Sequence, residues 1–588
     1  MPTPSRLLKT YAALARWVLG LVLGGWLLLV LAWGALHGWI VPRIDTYRPQ
    51  IEVLASKAIG VPVRIGDIEA RTDGLVPSFT LRNVQLLDKD GRIALRLPQV
   101  VAALSPRSVL NYGFEQLYID RPELDVRRAA DGRIFVAGLD FSQGGADDGR
   151  AADWFFSQAE IVVNNGTVRW TDELQGADTL ALERLTFVAR NRGQRHRMRL
   201  DATPPTDFGR PFTVLAEFRQ PLWTRRAGQW QSWEGQLYAD FPAVDVARLH
   251  RQVPLGVEVM GGLGGLRLWA DVQRGAVTGV TADMALLNAE VQLGERLKPL
   301  ALDIVSGRFS GSRLATGLEA ATQNLKFRTR DGLEWPGGNV ALTWTQAEGN
   351  APAQGTLTAD RLDLAALSQV ASRLPLGTAT HGALEALQPK GMVERLQARW
   401  KGELDAVQTY QATGRVVGLE LAAQPFTGPA QAAGSSVHAG VPGLRGATID
   451  FDLSQAGGKA KLNLVRGALE FPGVFEDPVI AMDSFNSDLT WRIDGQKLYV
   501  EVSQMQFANK DLQGQGKFNW RTSDPAQSGG KSRFPGVIDL EGSINRGDGT
   551  RVHRYLPLTI HRQAREYVRE AVVAGRVNGL KFRVRGDM

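Results

Sequence analysis

The sequence predicts a mainly β protein, in which an N-terminal transmembrane helix is followed by a long, curved, mostly antiparallel sheet that forms a hydrophobic groove, with a few short helices. Three observations predict this class. One apolar run near the N-terminus is long enough to cross a bilayer, most segments after it alternate apolar and polar residues, and helical periodicity is confined to short stretches. At 588 residues, the chain exceeds what one compact core holds, so we expect several domains or one repetitive body.

The predicted membrane helix runs from Trp17 to Ile40. No charged residue interrupts it, and it exceeds the roughly 20 apolar residues that a spanning helix needs. Arg16, Trp17 and Trp39 are the predicted membrane anchors, because the two indoles are spaced to reach both interfaces. Basic residues without an acid precede the run, so residues 1–16 are predicted to be a cytoplasmic tail and the rest to lie across the membrane. A cleaved signal peptide is the alternative, but its apolar core would be shorter.

Stretches rich in Gly, Ala, Ser or Pro divide the remainder of the chain. We interpret three of them as linkers: Ser142–Ala152, Pro425–Gly440 and Asp524–Pro535. The predicted domains are a membrane-proximal β domain at 41–141, a repetitive β-groove region at 153–424, and a further groove segment at 441–588 that contains a helix at 560–574.

Alternation with a period of two is the main structural signal in these domains. In Ala447–Ser454, for example, Ile449 and Phe451 interleave with Asp450 and Asp452. One face of each such strand is therefore apolar and the other is wet, as in half-buried antiparallel sheets. The residues predicted to line the apolar groove are Val168, Trp170, Met198, Leu200, Leu237, Leu357, Ile449, Phe451, Leu498, Val500, Val502, Ile538 and Leu540.

Helices are predicted at Val244–Gln252, near Leu364–Ser372 and at Ile560–Ala574. The last has an apolar stripe that is expected to pack on the sheet, and Gly575 stands where a C-terminal cap belongs. The first two lie in segments that resemble each other, Gly235–Gly256 and Gly355–Gly377. Each reads as a strand, an Asp and a short helix, which indicates a duplicated unit.

Basic residues are concentrated in one strand-like segment. Arg190, Arg192, Arg195, Arg197 and Arg199 lie within ten residues, and the last three alternate with apolar or aromatic neighbours. We interpret them as a solvated outer face. The net charge of +7 is too dilute over this length to indicate nucleic-acid binding.

Motifs for catalysis or metal binding are missing from the sequence. There is no cysteine, which excludes disulfides, thiolate metal sites and Cys nucleophiles. The seven histidines form no HExxH or i, i+4 pair, and neither a GxSxG elbow nor a complete phosphate-binding loop occurs. We therefore predict no enzymatic activity, no metal and no cofactor.

A sheet with one continuous apolar face must cover that face with another sheet, with helices or with a ligand. If it curls without closing, it makes a trough that can hold acyl chains while headgroups stay in water. A series of closed β-sandwiches has the same alternation, so the two architectures stay open at this point.

Several segments together resemble a known family. They are Ile59–Asp67 (IGVPVRIGD), Pro77–Val84, Arg121–Leu124 with Asp131–Ile134, Ala159–Trp170, Val441–Gly446, Phe471–Pro478 and Val552–Gly575. This pattern resembles the AsmA-like proteins, and within them the long YhdP group. The resemblance implies an inner-membrane protein of a Gram-negative cell whose periplasmic groove moves phospholipid between the inner and outer membranes. It implies phospholipid acyl chains and the inner membrane as partners, with outer-membrane or envelope proteins as further ones and no nucleic acid. A non-transporting envelope scaffold or assembly factor is the alternative. Members of the group are longer, so this chain is expected to be an N-terminal portion.

Overall fold

The computed structural model describes residues 6–35, 38, 41–71, 78–87, 93–103, 113–136, 139–140, 150–224, 226–252, 257–374, 378–403, 406–425, 439–524, 533–534 and 536–587. The protein is mainly β, as predicted. It divides into two compact units, one of Met1–Leu255 with Leu263–Ala282 and the other of Gly256–Gly262 with Asp283–Met588.

Among its described residues, the first unit contains four α-helices and thirteen complete strands. The helices are α1 (Arg6–Ala35), α2 (Arg48–Ile59), α3 (Arg150–Ser157) and α4 (Val246–Gln252), with 3₁₀ turns at Val41–Tyr47 and Trp230–Ser232. The strands are β1 (Val63–Arg64), β2 (Asp67–Arg71), β3 (Ser78–Leu87), β4 (Ile93–Ala103), β5 (Gln116–Asp120), β6 (Glu123–Arg128), β7 (Ile134–Val136), β8 (Leu139–Asp140), β9 (Glu160–Asp172), β10 (Ala177–Arg192), β11 (Arg195–Thr203), β12 (Phe212–Arg219) and β13 (Glu234–Asp245). Strands β14 (Glu258–Gln273) and β15 (Ala276–Gln292) contribute residues to both units.

Antiparallel pairing dominates the first unit. Strands β1 and β2 pair with β3, β3 pairs with β4, and β9 to β14 follow one another as a meander. The exceptions are β5 and β6, which both pair in parallel with β9. The core of this unit lies where α2 and α3 pack on the apolar face of the sheet, with Ile51, Ala55, Trp154 and Phe155 against buried strand residues such as Ile161.

The second unit is an antiparallel meander with short helices at its connections. Its strands are β16 (Leu300–Leu314), β17 (Gly317–Thr329), β18 (Glu334–Trp335), β19 (Val340–Thr345), β20 (Gln354–Asp363), β21 (Lys390–Glu403), β22 (Ala406–Leu421), β23 (Gly443–Ser454), β24 (Gly457–Glu470), β25 (Val479–Asp494), β26 (Lys497–Ala508), β27 (Leu512–Arg521), β28 (Val537–Asp548), β29 (Arg576–Val577) and β30 (Leu580–Asp587). The helices are α5 (Leu364–Val370), α6 (Thr378–Leu387) and α7 (Arg562–Ala571), with 3₁₀ turns at Ala371–Arg373 and Gly549–Tyr555.

Many long strands contain a β-bulge at a residue with left-handed backbone. Arg395 in β21 and Gly418 in β22 have φ of 53° and 66°, and the register shifts at both positions. A bulge inserts one extra residue, so side chains three apart can share a face across it. Val393 and Leu396 accordingly contact the same apolar cluster, although strict alternation would place them on opposite faces.

The predicted helices are present with modified bounds. Helix α4 begins two residues later than predicted, and α5 ends at Val370 and continues as a 3₁₀ turn. In both, the Asp that precedes the helix accepts a backbone hydrogen bond, Asp245 from Arg248 and Asp363 from Ala366, so the two segments fold as the same strand–helix unit.

Helix α7 departs from its prediction in packing. It spans Arg562–Ala571 and has no buried residue; His561 caps its N-terminus, and its C-terminal cap is Val572, not the predicted Gly575. Tyr567, which belongs to the predicted apolar stripe, is 72% exposed. The side chain turned inward is Arg565, which is 13% exposed and faces Glu476. The stripe therefore does not pack on the sheet, because an ion pair docks the helix by its basic face.

At the N-terminus, α1 begins at Arg6, within the predicted tail, and contains Arg16 and Trp17, both exposed. In the part of the chain that the structure describes, no helix has the length and hydropathy needed to cross a membrane. Trp39 and most of the three predicted linkers lie outside the described residues; the first linker is shorter than predicted, since α3 begins at Arg150. The predicted domain bounds stay a prediction.

Candidate functional site

The candidate site is the apolar face of the sheet, which is best followed in the second unit. One row of directly paired positions crosses β17, β19 to β28 and β30, twelve strands in all. Its members are Ala320, Leu342, Leu357, Ala398, Ala412, Leu453, Gly458, Trp491, Val500, Trp520, Ile538 and Gly586. No member carries a polar group other than the indole N–H of tryptophan. At about 4.8 Å per strand, the row is about 50 Å long.

The neighbouring rows show how completely the two faces differ. The next row on the apolar face is Gly414, Phe451, Ala460, Leu489, Val502, Phe518, Leu540 and Val584. The intervening row, on the opposite face, is Thr413, Asp452, Lys459, Thr490, Glu501, Asn519, Asp539 and Arg585. Pleating sends successive side chains to opposite faces, so the alternation of the sequence becomes one apolar and one charged surface.

Burial distinguishes this surface from a closed core. From Leu342 to Ile538, every member of the first row is half-buried and none is buried. A second sheet packed about 10 Å away would cover these side chains. The apolar residues that pack together here come from adjacent strands and from Leu364 of α5, among the residues that the structure describes. The apolar face of the second unit therefore leaves much of its side-chain surface accessible.

Glycines in the strands allow aromatic rings to lie flat on the apolar face. A Cβ at Gly458 would meet the Trp491 ring at 2.6 Å, and one at Gly355 would meet the Trp400 ring at 2.1 Å. Phe451 covers Gly414 in the same way. Covering a glycine with a cross-strand aromatic ring stabilises the pair and fills the space that the missing side chain leaves.

In the first unit, the apolar rows are partly covered. Met198 and Leu237 share one row with Ala189 and Ala216, and Leu200 lies in the next row. Met198 packs against the cluster that α2 and α3 close, so this end of the first unit's apolar face is capped by helices.

The structure places each predicted groove residue on a strand. All eight in the second unit (Leu357, Ile449, Phe451, Leu498, Val500, Val502, Ile538, Leu540) share one face, and all but Val502 are half-buried. Met198, Leu200 and Leu237 share a face in the first unit. Val168 and Trp170 pair with Leu182 and Leu180, beyond bulges that separate them from those rows. Their role in binding a ligand stays a prediction.

Sequence reasoning missed a buried polar cluster beside the capped end. His196 is 1% exposed, stacks on Trp233 with ring centroids 4.0 Å apart, and has its Nδ1 2.7 Å from Oδ1 of Asn191. The Asn191 amide donates to the backbone oxygen of Gln158. Burial lowers the pKa of His196. The signal in the sequence was an alternating position occupied by His instead of an apolar residue.

Two of the family-like segments contact each other. Glu476, in Phe471–Pro478, accepts from Arg569 at 2.7 Å and from Arg565 at 3.3 Å. Arg554, in the other segment, lies 2.8 Å from Asp511. The Arg569 and Arg565 guanidinium groups hold the pKa of Glu476 below its usual value. These charged side chains are therefore paired with one another, and the pairs to Glu476 hold α7 against the segment Phe471–Pro478.

A concavity of about 600 Å³ lies on the opposite, polar face of the first unit. Its floor includes Leu215, Tyr238 and Trp269, and the arginines around it include Arg197, whose guanidinium is 3.0 Å from Glu217. Among the described residues, no three metal-ligating side chains come together. The concavity therefore gives no indication of a catalytic site. The predicted lack of enzymatic activity stays a prediction.

The family comparison agrees with this picture. The model of the YhdP family, described as YhdP protein, matches residues 1–588. The chain belongs to the YhdP family. The resemblance drawn from the sequence is therefore confirmed, and the surface shared by these strands is the apolar face of a YhdP-family protein. No curated protein and no solved structure matches the chain.

Proposed function

We propose that this YhdP-family chain is anchored in the inner membrane of a Gram-negative cell and conducts phospholipid between the inner and outer membranes along the apolar face of its periplasmic sheet. The observation that carries the proposal is the row from Leu342 to Ile538, in which ten strands in succession each contribute a half-buried apolar residue or glycine. Such a row is continuous in the direction in which a lipid would have to move.

The energetics favour an acyl chain as the occupant. A diacyl lipid crossing water exposes on the order of 30 methylenes at about 0.8 kcal/mol each, or roughly 25 kcal/mol. An apolar row whose only polar groups are indole N–H groups removes most of this barrier, while the headgroups stay in solvent. No reaction is needed for this role, so we propose a binding and transfer protein and no enzyme.

The proposed anchor is the apolar run Trp17–Ile40, whose residues 17–35 lie in α1. Helix α1 is 30 residues long, and Trp17, Leu21 and Leu28 are each at least 70% exposed. Exposing large apolar side chains of this kind to water is unfavourable, and a bilayer would cover them. The basic residues at the start of α1 support a cytoplasmic N-terminus and a periplasmic sheet.

The proposal is tested by placing a photo-crosslinking amino acid on either face of the same strands of the full chain in cells. We expect Val500 and Leu540, on the apolar face, to crosslink to phospholipid. Glu501 and Asp539, their neighbours on the polar face, are the matched controls and should not. Equal crosslinking on both faces, or protein adducts alone on the apolar face, would favour a non-transporting scaffold and contradict the conduit.

A further inference from the structure

A row of three arginines at one end of the first unit forms no ion pair among the described residues, although Glu234 of β13 lies directly opposite Arg219. Arg192 in β10 lies directly opposite Arg195 in β11, which lies opposite Arg219 in β12. All three are exposed, unlike Arg190, Arg197 and Arg199 of the same segment, which pair with carboxylates. Like charges directly opposite each other destabilise a sheet. The two Arg–Arg pairings are therefore unfavourable in the free protein, and a bound anion would relieve them.

The loop that follows Arg219 presents two large apolar side chains beside this row. Leu222 is 77% exposed and Trp223 is 93% exposed. Scattered apolar residues are common on surfaces, but an adjacent Leu–Trp pair at a loop tip, next to unpaired arginines, is the composition of a membrane-interface contact. In the sequence, two further arginines follow at 225 and 226.

The loop is held in place at both ends. The backbone N–H of Gln220 donates to the backbone oxygen of Gln194, in the turn between the first two arginines of the row. On the other side, Asp153 of α3 accepts from Nε of Arg226 at 2.6 Å and from the N–H of Gly228 at 2.8 Å. Because both ends are tied to the fold, exposure of Leu222 and Trp223 is a property of the folded protein.

These contacts link the loop to the proposed anchor. Helix α3, which holds the loop through Asp153, packs with Trp154 and Phe155 in the cluster that contains Ile51 and Ala55 of α2. Helix α2 follows α1 in the chain, and the 3₁₀ turn Val41–Tyr47 directly precedes α2. The loop therefore belongs to the same group of elements as the segment that leads out of α1.

We propose that Arg192, Arg195, Arg219, Leu222 and Trp223 form a docking patch for the anionic headgroup layer of the membrane that α1 enters. The arginines contact lipid phosphates, while the indole and the leucine enter the interface. Arg guanidinium groups suit phosphate, and an anionic surface attracts each basic residue within a Debye length. The proposal rests on the proposed anchoring by α1 and adds a second, charge-dependent contact to it.

The absence of cysteine allows a single-label test on the full chain. Leu222→Cys, carrying an environment-sensitive fluorophore, reports on the patch. Leu174→Cys is the matched control, a leucine 51% exposed in the turn before β10, about 50 Å from Arg192 at the strand's other end. With vesicles of phosphatidylcholine and phosphatidylglycerol, we expect a lipid spin-labelled near the headgroup to quench the label at 222 and to leave that at 174 unquenched. Quenching at 222 should be lost with phosphatidylcholine alone.

Charge variants distinguish the arginine row from the loop tip. Replacing the three arginines by Glu should abolish quenching at 222, replacing them by Lys should retain it, and Trp223→Ala should weaken it. Equal quenching at 222 and 174, or quenching that survives the three Glu substitutions, would overturn the patch. If the label at 222 is shielded from aqueous iodide in cells but is never quenched by lipid, a protein covers the patch. That result would also overturn the proposal. Flotation with phosphatidylcholine vesicles reports on α1 alone, so failure of the anchor is seen separately.

Discussion

At the scale of single residues, the lowered pKa of the buried His196 makes stability depend on pH. Burial lowers its pKa, so the folded protein holds the ring neutral while the unfolded chain protonates near pH 6.5. The unfolded state then binds more protons, and stability is full above that pH and is lost as the pH falls below it. We expect hydrogen exchange of β10 and β11 to accelerate between about pH 7 and pH 5 beyond its intrinsic pH dependence. His196→Gln keeps a hydrogen-bond donor and acceptor for Asn191 and should remove this additional acceleration of exchange. If the acceleration is unchanged in the variant, other groups are responsible for it.

The glycines under aromatic rings provide a second test at this scale. Gly458→Ala places a methyl group 2.6 Å from the Trp491 ring, which must rise from the sheet. Overpacking of this kind costs about 1–3 kcal/mol, so exchange-derived local stability of β24 and β25 should fall by that amount. Gly586→Ala lies in the same row with no atom within 4 Å of the added carbon and should change it by less than about 0.5 kcal/mol. Equal effects would show that the ring over Gly458 contributes nothing to the sheet.

At the scale of secondary-structure elements, α7 is a helix that ion pairs to Glu476 hold in place. Glu476 binds Arg565 and Arg569 across two elements, whereas Glu566 pairs with Arg562 within the helix. We expect Glu476→Gln to accelerate hydrogen exchange throughout α7, while Glu566→Gln affects the first turn alone. Exposed ion pairs contribute about 0.2–1 kcal/mol, so overall stability should change little. If α7 exchanges equally in both variants, the helix is held by other contacts.

Strand alternation could be predicted because pleating imposes a period of two, and on that basis Leu357, Val500 and Ile538 were assigned to one surface. The β-bulges could not be predicted from the sequence. The left-handed backbone at Arg395 is imposed by the neighbouring strands and is not a preference of arginine itself. A helix was predicted over 560–574 and is observed at Arg562–Ala571, but periodicity alone does not say which face of a helix packs on the protein. In α7, the basic face packs on the protein because it binds Glu476, a residue distant in sequence, and most of the apolar stripe stays exposed.

The pairing of Arg192, Arg195 and Arg219 needed the sheet register as well. The sequence showed an arginine cluster, and the interpretation as a solvated face is confirmed for its exposure. Which of those arginines have carboxylate partners depends on β9, β11 and β12, which contribute Glu160, Asp201 and Glu217. Sequence spacing could not separate the paired residues from the unpaired ones.

At the scale of the whole molecule, the question is whether the apolar face is a binding surface or a core. In a core, a buried unpaired carboxylate costs several kcal/mol and unfolds the domain, whereas on an accessible face the same group stays hydrated. Val500 is half-buried and is the ninth of the twelve residues in the apolar row, so a carboxylate at this position distinguishes a core from an accessible face.

We expect Val500→Asp to lower the free energy of unfolding by less than about 1.5 kcal/mol, since water reaches the new carboxylate when no lipid is bound. Lipid crosslinking at Leu540 and lipid passage in cells should be lost, because a charge in the row restores the barrier that the apolar side chains remove. Thr490→Asp is the matched control: it places the same charge on the polar face, opposite Lys459 and Glu501, and should leave both readouts intact. Unfolding of the Val500→Asp variant with a stable Thr490→Asp protein would identify the apolar rows as packed core. Normal lipid passage in both variants would mean that lipid does not travel along this face.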